Sequence, residues 1–238
     1  MAKWQERAEL LFKEEGLNRL KNSNVLVVGL GGVGSFAAEF LVRAGVGKMT
    51  IVDGDTVDIT NINRQLPALH STVGEPKVKI VGDRLMDINP ELSLIRVEEF
   101  LSPERATEIV TPEFDYVLDC IDSLTPKINL LVAAKRKKIK VISNMGAGGK
   151  FDVNKVVVRD ISKTEVCPLA KNIRKRLKKA GINKGVKAVY SIEHPDASSL
   201  KTTDGSNFKK SFYGTNSWMP ALFGLHAAET VVKHLIKG

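Results

Sequence analysis

A glycine-rich loop directly follows an apolar run close to the N-terminus. Gly29, Gly31 and Gly34 form the pattern G-x-G-x-x-G immediately after the run of valine and leucine at residues 25–28. In parallel α/β folds this spacing joins a buried strand to a helix whose first N–H groups face a phosphate. The pattern predicts a strand–turn–helix unit within an open, mostly parallel sheet, with a nucleotide bound at the mouth of that unit.

Strand-like and helix-like segments alternate through the first two thirds of the chain. This alternation is typical of a doubly wound parallel sheet with right-handed crossovers. The sequence therefore predicts the α/β class with a Rossmann-like core. The predicted strands are 25–28, 48–53, 92–97, 116–121 and 141–144, and the predicted helices are 32–44, 77–88 and 125–136.

The pattern changes after a second glycine-rich turn at residues 146–149. Two extra C-terminal strands, 153–161 and 186–192, flank a helix at 169–179, and a helix at 217–236 closes the chain. These segments extend the predicted sheet beyond its nucleotide-binding part.

The segment 194–213 is rich in Ser, Thr, Asp and Lys and contains Pro195 and Gly205. We expect a mobile loop over the site, with plain disorder as the alternative. No repeat or clear linker divides the chain. We therefore expect one domain over residues 1–238, with a nucleotide-binding half at 1–149 and a substrate-facing half at 150–238.

Composition favours a single globular domain. The 238 residues are 43% hydrophobic and 26% charged, which is ordinary for a globular protein. No apolar run reaches the roughly 18 residues of a membrane span, and the N-terminus lacks the apolar core of a secretion signal. The two cysteines, Cys120 and Cys167, indicate no disulfide framework. A cytoplasmic protein is expected, with Cys120 in the core.

Positive charge is concentrated in two places. The net charge is +9, and residues 171–187 contain no acid. A second cluster lies at residues 135–138, with Lys140 just beyond it. Two such clusters favour a nucleic-acid partner, although a solvated helix face remains an alternative for each. The basic residues of the first stretch are Lys171, Arg174, Lys175, Arg176, Lys178, Lys179, Lys184 and Lys187.

The end of the second predicted strand carries an acid, and cations follow it. Asp53 is placed to accept hydrogen bonds from ribose, which alone predicts NAD as readily as ATP. Arg64 follows eleven residues later, and Lys77 begins the next helix. Two cations there can neutralise charge that develops on polyphosphate oxygens. This favours use of a triphosphate, with two ordinary surface cations as the alternative.

Two carboxylates, Asp119 and Asp122, lie at the end of the fourth predicted strand. One of them, preferably Asp122, is a candidate ligand for Mg²⁺, which prefers oxygen. A cap on the next helix, formed by Asp122 or Ser123, is the structural alternative, and the two roles are compatible.

Seven motifs together resemble the ThiF/MoeB-type adenylating superfamily, which has the ubiquitin-activating-enzyme-like fold. The resemblance covers Arg7 to about Lys179 and the final helix, and within the superfamily it is strongest to the dehydratases of N6-threonylcarbamoyladenosine in tRNA. The motifs are G-L-G-G-V-G at 29–34, V-D-G-D-T-V at 52–57, T-N-I-N-R-Q at 60–65, V-G-E-P-K at 73–77, I-N-P at 88–90, D-C-I-D-S at 119–123 and G-A-G-G at 146–149.

The resemblance implies a site for ATP and Mg²⁺. The Asp53 equivalent binds ribose, the Asn61 and Arg64 equivalents contact phosphates, and the equivalents of Lys77 and Asp122 complete the site. The nucleotide-binding residues that it implies are Gly29, Gly31, Gly32, Gly34, Asp53, Asp55, Asn61, Arg64, Gln65, Lys77, Asp122 and Ser123.

The resemblance also implies a homodimer, because Arg7 matches an arginine that relatives present to the ATP of the partner subunit. Arg7 thus joins Arg64, Lys77 and Asp122 as an expected catalytic residue. A sulfur-transfer protein stays open as a further partner. Relatives that activate sulfur carriers often hold zinc with two C-x-x-C pairs, which Cys120 and Cys167 cannot supply.

The expected reaction is ATP-dependent dehydration of N6-threonylcarbamoyladenosine through an acyl-adenylate. The tRNA backbone is expected on the basic helix, at Lys171, Arg174, Lys175, Arg176, Lys178 and Lys179. Three alternatives remain: adenylation of the C-terminus of a ubiquitin-like sulfur carrier, a nicotinamide-dependent oxidoreductase, and a nucleic-acid-binding protein with a purely structural nucleotide.

Overall fold

A central sheet with helices on both faces organises the chain. The computed structural model describes residues 3–202 and 211–237. The helices are α1 (Glu6–Asn22), α2 (Gly34–Ala44), α3 (Lys77–Ile88), α4 (Pro103–Ile109), α5 (Leu124–Arg136), α6 (Pro168–Lys179) and α7 (Trp218–Leu235). The strands are β1 (Asn24–Val28), β2 (Lys48–Val52), β3 (Ser93–Val97), β4 (Tyr116–Asp119), β5 (Lys140–Asn144), β6 (Val156–Asp160), β7 (Lys187–Ser191), β8 (Leu200–Thr202) and β9 (Ser211–Tyr213).

The main sheet has seven strands in the order β3-β2-β1-β4-β5-β7-β6. All neighbours pair in parallel except β6, which runs antiparallel to β7. The predicted α/β, doubly wound, mostly parallel sheet is confirmed. The strand order reverses between β1 and β4, so the loops after these two strands border the crevice where such sheets bind ligands.

Strand β1 shows why the sheet is covered on both faces. Val25 and Val27 lie in one core cluster with α1, α2, α3 and α7, whereas Leu26 and Val28 lie in the other with α4, α5 and α6. Successive side chains of a strand point to opposite faces. A strand buried on both faces therefore appears in sequence as an unbroken apolar run.

Helix α2 begins two residues later than predicted, because residues 31–33 form the turn out of β1. It ends at Gly45, whose φ of +111° places it in the left-handed region that a glycine C-cap adopts. Helix α7 packs closely on α2. At Gly224, a Cβ would lie 2.5 Å from the carbonyl oxygen of Val33, so only glycine permits this approach.

The extra C-terminal strands and the closing helix are confirmed, with changed bounds. The predicted strand 153–161 is too long at its start, because Val153–Lys155 forms a 3₁₀ helix. Asp152 explains this, since its side chain accepts a hydrogen bond from the backbone of Asn154 and caps that turn. Helices α1 and α4 were not predicted.

The segment predicted as a mobile or disordered loop has regular structure on both flanks. Strands β8 and β9 pair antiparallel, with Leu200 opposite Tyr213. Residues 203–210 lie outside the described residues. Gly149 connects this small sheet to the rest of the chain through two hydrogen bonds of 2.7 Å. Its N–H donates to the Gly214 carbonyl, and its carbonyl accepts from the Asp196 N–H. None of the helices in 3–202 and 211–237 has the length and apolar character that a bilayer crossing requires.

Candidate active site

The glycine loop lies at the carboxyl end of β1, beside the loop that follows β4. Gly29 has a φ of +91°, and a Cβ there would lie 2.8 Å from the carbonyl oxygen of Cys120. A Cβ on Gly34 would lie 1.7 Å from the carbonyl oxygen of Gly29, and one on Gly32 would lie 3.0 Å from that of Arg64. The fold itself therefore requires glycine at positions 29 and 34, whereas a side chain at position 32 would need its neighbours to shift by a few tenths of an ångström.

Gly31 is different, because the fold leaves room at this position. The nearest atom to a Cβ there is the side-chain nitrogen of Gln65, at 3.6 Å, which is an ordinary contact. A glycine that the packing does not require is typical of a point where a pyrophosphate approaches the backbone. Gln65 also has a buried side-chain oxygen, Oε1, with no hydrogen-bond partner among the described residues. Both features fit a polar ligand at this loop.

Asp53 follows β2 and faces the glycine loop. Its Oδ2 accepts a hydrogen bond from the Leu30 N–H at 2.5 Å, and its Oδ1 accepts one from the Asp55 N–H at 2.8 Å. Burial raises the pKa of Asp53, although the Leu30 N–H and the charge of Lys77 oppose the shift. The carboxylate is thus fixed next to the loop, where it can accept hydrogen bonds from ribose.

Lys77 and Asp55 form an ion pair at the start of α3. Lys77 Nζ lies 2.9 Å from Asp55 Oδ2, and the lysine side chain is only 6% exposed while that of Asp55 is 53% exposed. The Lys77 N–H also donates to the Asp55 carbonyl at 3.0 Å. A phosphate at this position would compete with an exposed carboxylate for a buried, oriented ammonium.

The loop at residues 58–65 presents Arg64. Asn61 is buried, and its Oδ1 accepts from the Asp58 N–H at 3.3 Å in a capping box, so this oxygen has a structural role. Arg64 Nη1 donates to the Thr60 carbonyl at 3.1 Å and to Asn63 Oδ1 at 2.9 Å. Burial lowers the pKa of Arg64, and the nearby charge of Asp122 opposes that shift.

The two carboxylates at the end of β4, Asp119 and Asp122, have different surroundings. Asp119 is fully buried and pairs with Lys127 Nζ at 2.6 Å. Ser123 occupies the N-cap position of α5, but its side chain makes no cap hydrogen bond and its hydroxyl donates to Asp122 Oδ1 at 3.2 Å. The charge of Asp122 is close enough to Arg64 to oppose the lowering of the pKa of Arg64.

The donor set fits Mg²⁺ only together with a ligand that carries oxygen atoms. The described residues contain no group of three or more His, Cys, Asp or Glu side chains that could hold a metal. Mg²⁺ in phosphate sites is commonly held by one or two carboxylates and by phosphate oxygens. Asp122 can be such a carboxylate.

Sequence reasoning missed two buried lysines near this edge of the sheet. Lys127 is fully buried on α5. Lys150 Nζ donates to the Gly146 carbonyl at 2.8 Å, and burial lowers the pKa of Lys150 against the opposing charges of Cys167 and Glu193. Nothing in the sequence separates these two lysines from the surface cations around them.

The cysteines lie in the core or at its edge. Burial raises the pKa of Cys120 to about 12, which fits the expected structural role. Cys167 is also buried and stands at the N-cap position of α6.

Arg7 lies apart from the glycine loop of its own chain. It is exposed near the start of α1, and the neighbouring Gln5 packs against Gly45 at the far end of α2. The glycine loop is at the other end of α2, about 16 Å away for eleven helical residues.

The basic residues of α6 fall on either side of its buried stripe. One side borders a cleft of about 300 Å³. Arg174 in this cleft is half-buried and donates to the carbonyl and hydroxyl oxygens of Thr164. On the other side, Arg176 Nη1 donates to Thr125 Oγ1, in the first turn of α5, at 3.4 Å. The lining residues of the cleft are Ile161, Ser162, Lys171, Arg174, Lys175, Lys178, Ile182 and Asn183.

The second basic cluster lies away from the crevice. Lys140 begins β5, opposite Tyr116 at the start of β4. The starts of parallel strands share the edge of the sheet opposite to their carboxyl ends. Residues 135–140 are therefore at the edge remote from the glycine loop.

The fold and the crevice define a class of nucleotide-binding protein, and comparison with known families identifies it. The ThiF family model matches residues 5–238. The chain belongs to the ThiF family.

Within that family the chain is similar over most of its length to tRNA threonylcarbamoyladenosine dehydratases. It is 43% identical over 238 residues to the tRNA threonylcarbamoyladenosine dehydratase of Bacillus subtilis, covering 97% of this chain and 94% of the relative. The crystal structure of E. coli tRNA N6-threonylcarbamoyladenosine dehydratase, TcdA, in complex with AMP superimposes with a TM-score of 0.89 at 34% identity, covering 100% of this chain and 97% of that chain. The complex of the same E. coli enzyme with ATP gives a TM-score of 0.88 at 33% identity, over 100% and 96% of the two chains.

Proposed function

We propose that this chain catalyses the ATP-dependent dehydration of N6-threonylcarbamoyladenosine in tRNA through an acyl-adenylate. The observation that carries the proposal is the crevice between β1 and β4. The loop with Gly31 follows β1, Asp53 accepts a hydrogen bond from that loop, and the charges of Arg64 and Asp122 interact. Relatives over nearly the whole chain bear this activity in their names, and one such structure holds ATP.

Each residue of the crevice has a distinct task in this proposal. Asp53 accepts hydrogen bonds from the ribose hydroxyls, and the N–H groups at the start of α2 face the phosphates. Arg64 and Lys77 neutralise negative charge on the phosphate oxygens, and stabilisation of developing charge usually lowers the barrier of such reactions more than any other effect. Asp122 and phosphate oxygens would hold Mg²⁺, which when bound withdraws charge from the phosphates.

The reaction balances without a further reactant. The threonyl carboxylate attacks the α-phosphorus of ATP and expels pyrophosphate, giving the acyl-adenylate. A nucleophile within the same modified nucleoside then attacks the acyl carbon, expels AMP and closes a ring, so that one water is lost overall. Enclosure of the activated acyl group protects it from hydrolysis.

The basic cleft on α6 is the proposed contact with the tRNA backbone. Lys171, Lys175 and Lys178 are exposed there. Exposed cations bind phosphates and release counterions. Arg176 connects α6 to the first turn of α5, which begins just after Asp122 and Ser123. This contact provides a short path from the proposed tRNA surface to the crevice.

The remaining features belong to the same proposal. A homodimer would place Arg7 at the ATP of the partner subunit, and a sulfur-transfer protein is a candidate further partner. A tRNA substrate implies a cytoplasmic enzyme. We propose that residues 1–238 form one domain, with nucleotide binding in residues 1–149 and substrate contacts in residues 150–238.

Pyrophosphate release tests the proposal against the sulfur-carrier alternative. The protein is incubated with ATP, Mg²⁺ and either tRNA bearing threonylcarbamoyladenosine or a ubiquitin-like carrier ending in Gly-Gly. We expect release with the tRNA alone, and its loss in Arg64→Ala and Asp122→Ala. Release that requires the carrier, or full activity in either variant, would contradict the proposed reaction or the assigned residues.

A further inference from the structure

A buried polar network lies directly beneath the crevice. Asp119, the last residue of β4, accepts hydrogen bonds at Oδ2 from Lys127 Nζ at 2.6 Å and from Ser143 Oγ at 2.5 Å. Lys127 Nζ also donates to the Asn144 carbonyl at 2.9 Å. Asp119, Lys127 and Ser143 are all 0% exposed, and Asn144 is 3% exposed. The network therefore joins β4, β5 and α5 without contact to solvent.

A buried ion pair is on average a weak source of net stability. Two charges lose their hydration on burial, and their mutual attraction rarely does more than offset that loss. Apolar residues of similar volume commonly stabilise such a position as well or better. A buried ion pair is better explained when its fixed geometry serves a purpose.

The geometry here is directed at one short loop. Residues 120–123 leave β4 immediately after Asp119 and lead into α5, where Lys127 N–H donates back to the Ser123 carbonyl at 3.3 Å. The Ile121 N–H donates to Asp119 Oδ1 at 3.1 Å. Asp122 is thus held in a loop whose two ends are joined by the Asp119–Lys127 pair.

A second strand end restrains the same loop. The Asn144 amide Nδ2 donates to the Asp119 carbonyl at 3.3 Å and to Cys120 Sγ at 3.4 Å. Lys127 in turn fixes the Asn144 carbonyl. Removal of Lys127 would release both the start of α5 and the end of β5 from the loop.

We propose that Asp119 and Lys127 are positioning residues that hold Asp122 where it can bind Mg²⁺ with ATP. This inference rests on the proposed function, which assigns that role to Asp122. It predicts that the network controls the part of ATP binding that depends on Mg²⁺, and leaves the contacts of the glycine loop and Asp53 unchanged.

Calorimetric titration of ATP with and without Mg²⁺ separates these two parts. In the unaltered protein we expect Mg²⁺ to tighten ATP binding by about tenfold or more. Asp122→Asn should abolish this Mg²⁺-dependent gain in ATP affinity, called the Mg²⁺ increment below. Lys127→Met should reduce it to about threefold or less, while the Mg²⁺-free Kd stays within about threefold of the unaltered value.

A double variant separates positioning from stability. Asp119→Leu combined with Lys127→Met removes both charges, and such replacements usually preserve the fold. We expect it to unfold at a denaturant concentration close to that of the unaltered protein and still to lack the Mg²⁺ increment. Lys150→Met is the matched control and should keep the increment, since it removes another buried lysine, whose ammonium donates to the Gly146 carbonyl after β5.

Each outcome separates the inference from the proposed function. If Asp122→Asn keeps the increment, the role proposed for Asp122 is wrong and the positioning inference fails with it. If Asp122→Asn loses the increment but the stable double variant keeps it, the inference alone is wrong. Equal loss in Lys150→Met would also overturn it, because any buried lysine would then have the same effect.

Discussion

Two glycines three residues apart in the same loop have opposite surroundings. A Cβ on Gly34 would lie 1.7 Å from the Gly29 carbonyl oxygen, whereas one on Gly31 would meet only the Gln65 side chain at 3.6 Å. The fold therefore requires glycine at position 34 but leaves room for a side chain at position 31, where we propose that a phosphate approaches.

Alanine at each position tests this difference. Gly31→Ala should fold with a thermal midpoint close to that of the unaltered protein and bind ATP about tenfold more weakly or worse, a loss of about 1.4 kcal/mol. Gly34→Ala should be destabilised by more than about 4 kcal/mol, because backbone atoms must move. Thermal unfolding and ATP titration check both. Tight ATP binding by a folded Gly31→Ala would show that no phosphate approaches that residue.

Sequence predicted the outline of the site but not its internal pairing. Gly29, Asp53 and Lys77 stand at the strand and helix ends where motif spacing placed them. Spacing along the chain gave no sign that Asp119 forms a buried ion pair with Lys127. Lys127 lies on the next helix, and Asp119 is buried because β5 packs beside β4. Pairing across elements depends on tertiary contacts that a local pattern does not contain.

Among the elements, one glutamate joins two helices. Glu39 on α2 accepts hydrogen bonds from Arg43 of the same helix at 2.7 Å and from Arg84 on α3 at 2.6 Å. Burial alone would raise the pKa of Glu39, but the hydrogen bonds from Arg84 and Arg43 outweigh it and lower the pKa below its ordinary value of 4.5. Its charged form therefore stabilises the fold above that pH.

Glu39→Gln should lower the free energy of unfolding at pH 7 by about 1–2 kcal/mol. The loss is no larger because the side chains of Arg43 and Arg84 are both about half exposed, and solvent screens their charges. Because the folded pKa is depressed, the difference between the two proteins should shrink as pH falls below about 4.5. Urea unfolding at several pH values measures it. Glu75→Gln, which breaks the exposed Glu75–Lys79 pair, should change stability too little to measure. A Glu39→Gln difference that is constant with pH would contradict the role given to the charged form.

The exposed lysines of helix α6 are predicted to contact the tRNA backbone. Changing Lys171, Lys175 and Lys178 together to Gln should weaken tRNA binding at 0.1–0.2 M salt by about tenfold or more. The slope of log K against log salt should fall by about three, one for each phosphate contact. Filter binding or fluorescence titration over a salt series measures both.

The triple variant Lys48→Gln, Lys138→Gln and Lys140→Gln removes the same number of charges. It is the matched control, because these residues lie toward the edge of the sheet remote from the crevice. It should leave the slope nearly unchanged. Equal effects from both sets of changes would show that tRNA is attracted by net charge and not by α6.

Element prediction succeeded where capping and breaking residues were clear. Helix α3 ends two residues before Pro90, and Pro168 lies in the first turn of α6. Helix α4 was missed although Ser102 caps it, since it has only seven residues. Helix α1 contains Lys13 at a φ of +62°, and this break disrupts the regular apolar period that a helix prediction uses.

For the molecule as a whole, the order of the strands in the sheet could not be predicted from the sequence. After β5 the chain first forms the edge strand β6. It then returns to place β7 between β5 and β6, parallel to β5 and antiparallel to β6. That order depends on long-range pairing. The proposed homodimer stays a prediction. The structure adds that Gln5, close to Arg7 in the chain, packs at the end of α2 remote from the glycine loop.

Mixing two inactive variants tests whether Arg7 acts on a partner subunit. Arg7→Ala and Asp122→Asn should each be inactive alone. In a mixed dimer, one site combines an intact Asp122 with an intact Arg7 from the other subunit, so random exchange should restore about one quarter of the original activity. Steady-state turnover of the mixed sample measures this. No recovery, with mixed dimers demonstrated by tagged subunits, would show that Arg7 acts within its own chain or not at all.

The most direct test of the proposed dehydration is mass spectrometry of nucleosides from tRNA that carries threonylcarbamoyladenosine, after incubation with the protein. We expect this nucleoside to lose the mass of one water when ATP and Mg²⁺ are present, and to be unchanged when ATP is left out. An unchanged nucleoside in the presence of ATP and Mg²⁺, from protein that binds both ATP and the tRNA, would contradict the proposed reaction.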